Sequence, residues 1–358
     1  MSFVPVHEGT AVHKTNAGDQ MKKIKVGVIG AGSWGVNHIE AYRALPDAEV
    51  IAVADSLPRR AQEIATTYNI PHWFDNYEDL CSLQELDAVS VVTPESEHVK
   101  PVEAAAKQGK HILVEKPAAR SVPDVERMIK AARVADVILM PGHLLRFDIR
   151  YALIREKLEN RELGNVVTIQ ARRNRTKGNF RKYSRAHPVF SVAVHDIDLL
   201  LWYAGSQVRR VRGYQRKIQE GQTPDVVWGV LEFASGALGM IETTWLTPDQ
   251  AGIFSSDILH LITDKGIASL DLVPGGLSFW FETGFHVPDT IGAPRIRGNV
   301  QGGLTAELSY FVSCVTRNEK PKVVTAEEAL EGIRVAIALV ESAEKQEDVV
   351  LDQRSEFS

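Results

Sequence analysis

The chain of 358 residues is poor in cysteine, with only Cys81 and Cys314, far apart in sequence. That excludes a disulfide framework and a thiolate metal cluster, and makes both reduced core or helix residues of a cytoplasmic protein. Long apolar runs are missing too, since none approaches the roughly 20 residues that cross a bilayer. Met1 to Gln20 lack the apolar stretch of a signal peptide and read as a flexible or docking arm. A net charge of −5 gives no reason to expect nucleic acid or a membrane as partner. There is no Walker loop, no Gly-x-Ser-x-Gly elbow and no metal-ligand spacing, so no metal is assigned. Repeats and low-complexity tracts are absent. The 44% hydrophobic and 24% charged content is that of ordinary globular domains, and the length suggests two.

What the chain does have is a strand that breaks into glycines. Ile24 to Ile29 is an apolar run, followed by Gly30-Ala31-Gly32-Ser33-Trp34-Gly35 and a helical pattern from Val36 to Leu45. Gly30 permits a tight turn, Gly32 a close approach to a pyrophosphate, and Gly35 close packing of helix on strand. The helix start offers N–H groups and a positive dipole end to phosphates. Gly-x-Gly-x-x-Gly alone does not specify a ligand, but Asp55 closes the next strand about 20 residues beyond Gly35, where an acid meets ribose hydroxyls. The combination reads as dinucleotide binding. A carboxylate there repels a 2′-phosphate and favours NAD, while Arg59 and Arg60 nearby leave NADP open.

The first half alternates strand and helix: strands at Glu49–Asp55, Asp87–Thr93, His111–Glu115 and Val137–Met140, helices at Pro58–Tyr68, Ser96–Gln108 (Ser96 as N-cap) and Val122–Ala135. This rhythm makes an α/β, doubly wound parallel sheet, whose ligands sit at the carboxyl ends of strands. Beyond a helix at Asp148–Glu159 and a strand at Val166–Arg173, a helix carries His195, and strand-like runs follow one another: Val208–Tyr214, Val226–Phe233, Ala237–Thr244, Ile258–Thr263, Ile267–Leu272 and Leu277–Glu282, with turns at Ser235-Gly236 and Asp264-Lys265-Gly266. Strands without intervening helices imply an antiparallel sheet, with helices at Thr305–Thr316 and Ala326–Ala343 closing the chain. The expected organisation is an arm, 1–20; a dinucleotide-binding domain, 21–145; and a substrate-binding and oligomerisation domain, 146–358, whose last helices can pack back on the first. A free sheet face invites a second copy, so a homodimer or homotetramer is expected.

Lys116 is the sharpest chemical candidate. It follows a buried strand at its carboxyl end, facing the crevice, and Pro117 stiffens the backbone behind it and can form a cis bond. A partly desolvated lysine can donate a hydrogen bond to a reacting oxygen. His195 suits a base that takes a hydroxyl proton while hydride leaves the same carbon, with Asp198 or Asp196 to orient it. Thr93 and Pro94 follow a strand toward the crevice. His98 and His143 also lie near strand ends and can line cofactor or substrate, or serve structure instead. The basic stretch Arg172-Arg173-Asn174-Arg175-Thr176-Lys177, continued by Arg181-Lys182-Tyr183 and Arg185, can read a carboxylated, phosphorylated or hydroxyl-rich substrate from a loop over the site.

Taken together, Gly30-Ala31-Gly32-Ser33-Trp34-Gly35, Asp55, Thr93-Pro94 with His98, Glu115-Lys116-Pro117, Arg146-Phe147 and His195-Asp196-Ile197-Asp198 resemble the glucose-fructose oxidoreductase / inositol dehydrogenase (Gfo/Idh/MocA) family, over Lys23 to about Glu344. The resemblance implies a Rossmann domain followed by an α/β domain with a large, mostly antiparallel sheet. It also implies dimers or tetramers through that sheet, a nicotinamide cofactor, and oxidation or reduction of sugars, sugar acids or cyclitols. It makes Lys116 the catalytic lysine and His195 the catalytic histidine. Ser33, Trp34, Arg60 and Glu115 are expected at the cofactor, and His143, Arg175, Ser191 and Asp196 at the substrate. One position departs from the pattern: many of these dehydrogenases carry aspartate four residues before the histidine, where this chain has Ser191, which cannot hold a charge. Other uses of the same fold are a closed-cycle oxidoreductase or eliminase with retained cofactor, and a non-catalytic sensor.

Overall fold

The computed structural model describes residues 23–352 except 254 and 273–276; the expected arm, 1–20, lies outside the described residues. The first half builds β1 (Ile24–Ile29), α1 (Ser33–Arg43), β2 (Ala48–Ala54), α2 (Pro58–Tyr68), β3 (His72–Phe74), α3 (Tyr77–Ser82), β4 (Ala88–Val91), α4 (Val99–Lys107), β5 (His111–Glu115), α5 (Val122–Ala135) and β6 (Leu139–Gly142). The strands form one six-stranded sheet in the order β3-β2-β1-β4-β5-β6, parallel throughout. β4 is buried along its whole length, as a strand covered by helices on both faces must be. The order reverses between β1 and β4, and a crevice opens there at the carboxyl ends.

Two elements, β3 and α3, were not expected: three residues are too few to show a period, and α3 is fixed by the Asn76 side chain accepting the Asp79 N–H. Ser96 is not an N-cap. Glu95–Glu97 form a 3₁₀ turn and α4 begins at Val99, because Pro101 has no N–H and its ring obstructs a carbonyl four residues back, which confines it to a first turn.

The second half builds α6 (Ile149–Glu159), β7 (Val166–Arg175), α7 (Lys177–Tyr183), α8 (Val194–Ala204), β8 (Val208–Arg216), β9 (Val226–Phe233), β10 (Leu238–Thr244), β11 (Ser255–Thr263), β12 (Ile267–Asp271), β13 (Phe279–Phe281), β14 (Gly284–His286), β15 (Arg295–Ile296), β16 (Asn299–Val300), α9 (Gly303–Arg317), α10 (Ala326–Lys345) and β17 (Val349–Val350). A seven-stranded sheet runs β12-β11-β7-β10-β9-β8-β17. It is antiparallel except where β10 lies parallel to β7, so the sheet is mixed. The run at Leu277–Glu282 does not join it; β13 and β14 pair as a separate hairpin.

One face of this sheet packs on α8 and α10, with Val227, Leu231, Ile241, Leu199 and Leu339 in one core. Gly213 makes this possible, since a Cβ there would meet the Leu339 carbonyl at 2.5 Å. The other face exposes Val167, Tyr214, Trp228, Val230, Leu238 and Met240. The closing helices return to the first sheet. Leu304, Leu308 and Phe311 of α9 share a core with Val26, Ile39 and Met140, and Leu330 and Ile333 of α10 pack with Val89 and Ile112. Cys81 and Cys314 are buried free thiols. Among the described residues no helix is long and apolar enough to cross a membrane.

Phe311 is fully buried where α9 meets the first sheet. Phe311→Ala should therefore lower the unfolding free energy by about 3–5 kcal/mol, read as a lower urea midpoint. An unchanged midpoint would mean that α9 adds nothing to the first domain.

Candidate active site

A cavity of about 1170 Å³ opens at the carboxyl ends of β1, β2, β4 and β5 and is closed on the far side by β7, α7, α8 and β11. Gly30, Gly32, Ser33, Trp34, Asp55, Thr93, Pro94, Glu115, Lys116, Arg175, Ser191 and His195 all line it, so residues spread over 166 positions of sequence meet in one space. Gly30 turns at φ +103°, and a Cβ on Gly35 would lie 1.9 Å from the Gly30 carbonyl, so only glycine lets α1 start this close to β1. Gly32 has nothing within 4 Å of where a Cβ would be, and no side chain caps α1. Its first-turn N–H groups are therefore available to a pyrophosphate. Asp55 is fixed from below: Oδ2 accepts the Ala31 N–H (2.8 Å) and Oδ1 the Leu57 N–H (3.0 Å). Each oxygen keeps acceptor capacity for a ligand hydroxyl. These features fit a dinucleotide.

The middle of the cavity is set by Glu115-Lys116-Pro117. The Glu115 carboxylate is buried and accepts from Trp34 Nε1 (2.7 Å) and the Lys116 N–H (3.0 Å), with His38 Nε2 at 3.0 Å. Burial works to raise its pKa, but these partners and Lys116 outweigh it and hold Glu115 below the usual carboxylate range. Lys116–Pro117 is cis, as the sequence allowed. Lys116 Nζ donates to the Ser191 carbonyl (3.2 Å), which brings it to the segment leading into His195. Desolvation lowers the Lys116 pKa, opposed by Glu115 and helped by Arg175. His195 stands in the first turn of α8, and its pKa falls well below that of a free histidine through burial first, then Lys116, Arg173, His143 and Arg175. A neutral imidazole next to an ammonium is a proton acceptor beside a hydrogen-bond donor.

The basic stretch is not one loop. Arg172, Arg173 and Arg175 belong to β7. Arg173 is buried and bonds Asp196 (Nε–Oδ1, 3.0 Å) and Asp257 (Nη1–Oδ2, 2.7 Å), and Arg175 bonds the other oxygen of Asp257 (2.7 Å). Burial pushes Asp257 up, but the two guanidiniums prevail and hold it low; Asp196, with one of them, stays raised by burial. Arg181 is exposed and off the cavity wall, whereas Arg185 reaches across the cleft to Glu95 (3.1 Å).

Five expected contact residues fall outside the lining. Gly35 serves helix packing. Arg60 Nε donates to the Ala31 carbonyl (2.9 Å), bracing the glycine turn. His98 is buried against the carbonyls of Thr93, Pro117 and Ala118, tying β4 to the loop after Lys116. Asp196 turns to Arg173. His143 is buried with Nδ1 3.4 Å from Asp198 Oδ2, while Asp198 takes Arg146 Nη2 at 2.7 Å. Neither aspartate bonds His195, whose buried Nδ1 has no partner among the described residues. Tyr183 of the basic stretch lines the cavity, and so do Asp257, Asn179 and Trp245, which had no signal in sequence. They come from separate segments that only the fold brings together.

With this geometry in view, the chain can be compared with known proteins. The family model for an oxidoreductase family with an NAD-binding Rossmann fold matches residues 24–143, and that for its C-terminal alpha/beta domain matches residues 155–351. The chain is a member of the Gfo/Idh/MocA family, an NAD-dependent oxidoreductase in two parts. It is 26% identical to scyllo-inositol 2-dehydrogenase (NAD(+)) of Bacillus subtilis over 94% of this chain and 98% of that one. It is also 26% identical to myo-inositol 2-dehydrogenase of Thermotoga maritima, over 92% and 99%. A solved structure of scyllo-inositol dehydrogenase from Lactobacillus casei, with bound NAD(H) and scyllo-inositol, shares the fold at a TM-score of 0.79 and 20% identity, covering 92% of this chain and 99% of that one.

Lys116 is one of the positive groups that depress His195. Lys116→Met should therefore move the His195 titration up toward the ordinary 6.5, followed by NMR of the ring nitrogens. An unchanged titration would show that the two do not sense each other.

Proposed function

We propose that the chain is an NAD-dependent dehydrogenase acting on a secondary hydroxyl of a cyclitol, sugar or sugar acid, with Lys116 and His195 as its catalytic residues. The observation that carries this reading is that Lys116, bonded to the Ser191 carbonyl in the segment leading into His195, and His195 itself share a cavity wall with the uncapped glycine turn and Asp55. The names of the B. subtilis and T. maritima relatives point the same way.

The bound nicotinamide supplies the hydride acceptor. Lys116 donates a hydrogen bond to the reacting oxygen and stabilises its developing charge. His195, neutral at pH 7, takes the hydroxyl proton; the C–H electron pair leaves with the hydride, and the O–H pair left on oxygen becomes the second bond of the carbonyl. In reduction His195 returns the proton. Asp55 hydrogen-bonds the adenosine ribose and selects against a 2′-phosphate, since Arg60 is engaged with the Ala31 carbonyl. Arg175, held by Asp257, is placed to contact substrate oxygens.

The test is NAD reduction across cyclitols, neutral sugars and sugar acids. One class should turn over, and Lys116→Ala and His195→Asn should each cost about 10²–10⁴ in kcat/KM. NAD binding without reduction by any of them would leave a closed-cycle enzyme, an eliminase or a sensor.

The same reading includes a homo-oligomer through the exposed sheet face, where Trp228, Val230, Leu238 and Met240 lie side by side on β9 and β10. Trp228→Glu should shift the sedimenting species to a smaller one. A monomeric parent protein would remove this part of the proposal.

A further inference from the structure

Behind the catalytic pair lies a cluster of polar groups that the chemistry above does not use. Glu307, in the second turn of α9, is fully buried, and neither carboxylate oxygen has a hydrogen-bond partner among the described residues. Two buried histidines have an orphaned Nδ1: His38, whose Nε2 meets Glu115 at 3.0 Å, and His143, whose Nδ1 faces Asp198 Oδ2 at 3.4 Å without hydrogen-bond geometry. The segments that carry these groups pack closely. Gly142 leaves room for the Glu115 carboxylate, where a Cβ would lie 3.2 Å from Oε1; the chain then runs through His143 to Leu144; and the Leu144 carbonyl would lie 2.9 Å from a Cβ on Gly303. Glu307 is one turn along α9 from Gly303.

An ionised carboxylate without donors is among the costliest things to bury, so Glu307 takes up a proton instead. The ionisable groups acting on it are Glu115 of β5 and Asp198 of α8, both negative, with no cation among the main influences; Tyr42 of α1, bonded to Ser90, also senses it. Burial first and these two charges next push Glu307 well above the usual carboxylate range. A neutral acid between two carboxylates is a donor between two acceptors, and four orphaned polar atoms make a place for internal water.

We propose that Glu307 is a positioning residue, a neutral carboxylic acid that, through internal water shared with His38 and His143, links the Glu115 carboxylate next to Lys116 in the chain to the Asp198 carboxylate one turn beyond His195 on α8. It thereby sets the two catalytic side chains relative to each other although they belong to different domains. This role in catalysis rests on the dehydrogenase reading; the protonation and its geometry do not.

The first measurement is infrared spectroscopy of the ligand-free protein at neutral pH. A carboxylic-acid carbonyl band that shifts in D₂O and is lost in Glu307→Gln is expected, and its absence from the parent protein overturns the proposal. The second is kinetic. Glu307→Leu should lower kcat about tenfold with KM for NAD unchanged, and displace the pH profile of kcat; Glu307→Gln, which keeps a donor, should restore most of the rate and the profile. A leucine variant with the parent's kcat and profile refutes the role, as does a glutamine variant as impaired as leucine. If the leucine variant does not fold, the infrared band and the glutamine profile still decide. The infrared measurement needs no turnover, so failure to oxidise any polyol would count against the dehydrogenase reading and leave the Glu307 result standing.

Discussion

A carboxylate removed from water must be met by donors, and the site depends on how Glu115 meets that demand. It ends β5 in the crevice and gathers Trp34 and His38 from α1 and the N–H of Lys116. One charge thus fixes the helix that carries the phosphate-binding turn, the strand that carries the lysine, and the distance between them. The same charge opposes the fall in the Lys116 pKa that desolvation causes. Glycine at 142 is part of the arrangement, because a side chain there would press on the carboxylate.

The second domain solves a similar problem with pairs. Arg173 is shared by Asp196 and Asp257, and Arg146 by Asp198 and Glu328, the latter also the capping-box residue of α10. Each pair fastens α8 to another element, β7 and β11 in one case and the start of α10 in the other. Buried ion pairs contribute little net stability, but breaking one leaves a stranded charge, so they specify position strongly. His195 therefore sits on a helix clamped along its first turns, while its own ring is left without a hydrogen-bonded partner on Nδ1.

Much of this was legible in the chain. The strand-glycine-helix passage, the acid at position 55, Glu115-Lys116-Pro117 and the alternation of strand and helix are local patterns, and local patterns survive being read one at a time. What escaped reading depended on distant segments. Arg173 and Arg175 look like a basic loop until β11 brings Asp257 between them. His98 looks like a ligand at a strand end until the loop after Lys116 supplies two carbonyls and Thr93 a third. The parallel β7–β10 pairing is set by where the chain returns after α8, which no period reveals. Glu307 left a trace that could have been followed: a lone acid among Leu304, Leu308 and Phe311 on the buried stripe of α9. A charge at an apolar position of a periodic helix is either a packing fault or a function.

The distribution of charge also bears on how the proposed reaction proceeds. His195 is buried and surrounded by positive groups, so burial first and these charges next make protonating it in the empty site unfavourable, and Ser191 places no carboxylate nearby to help. It can accept a proton only while a negative charge is present close by. In the dehydrogenase reading that charge is the substrate oxygen itself, as the proton departs and before the carbonyl has formed. A histidine with a lowered pKa is then an asset: it stays neutral and ready at physiological pH, and it becomes a competent base only when a hydroxyl stands between it and Lys116. The positive groups around the pair thus disfavour protonation of His195 without substrate, while in the transition state they stabilise the negative charge developing on the substrate oxygen, which is the difference that accelerates a reaction.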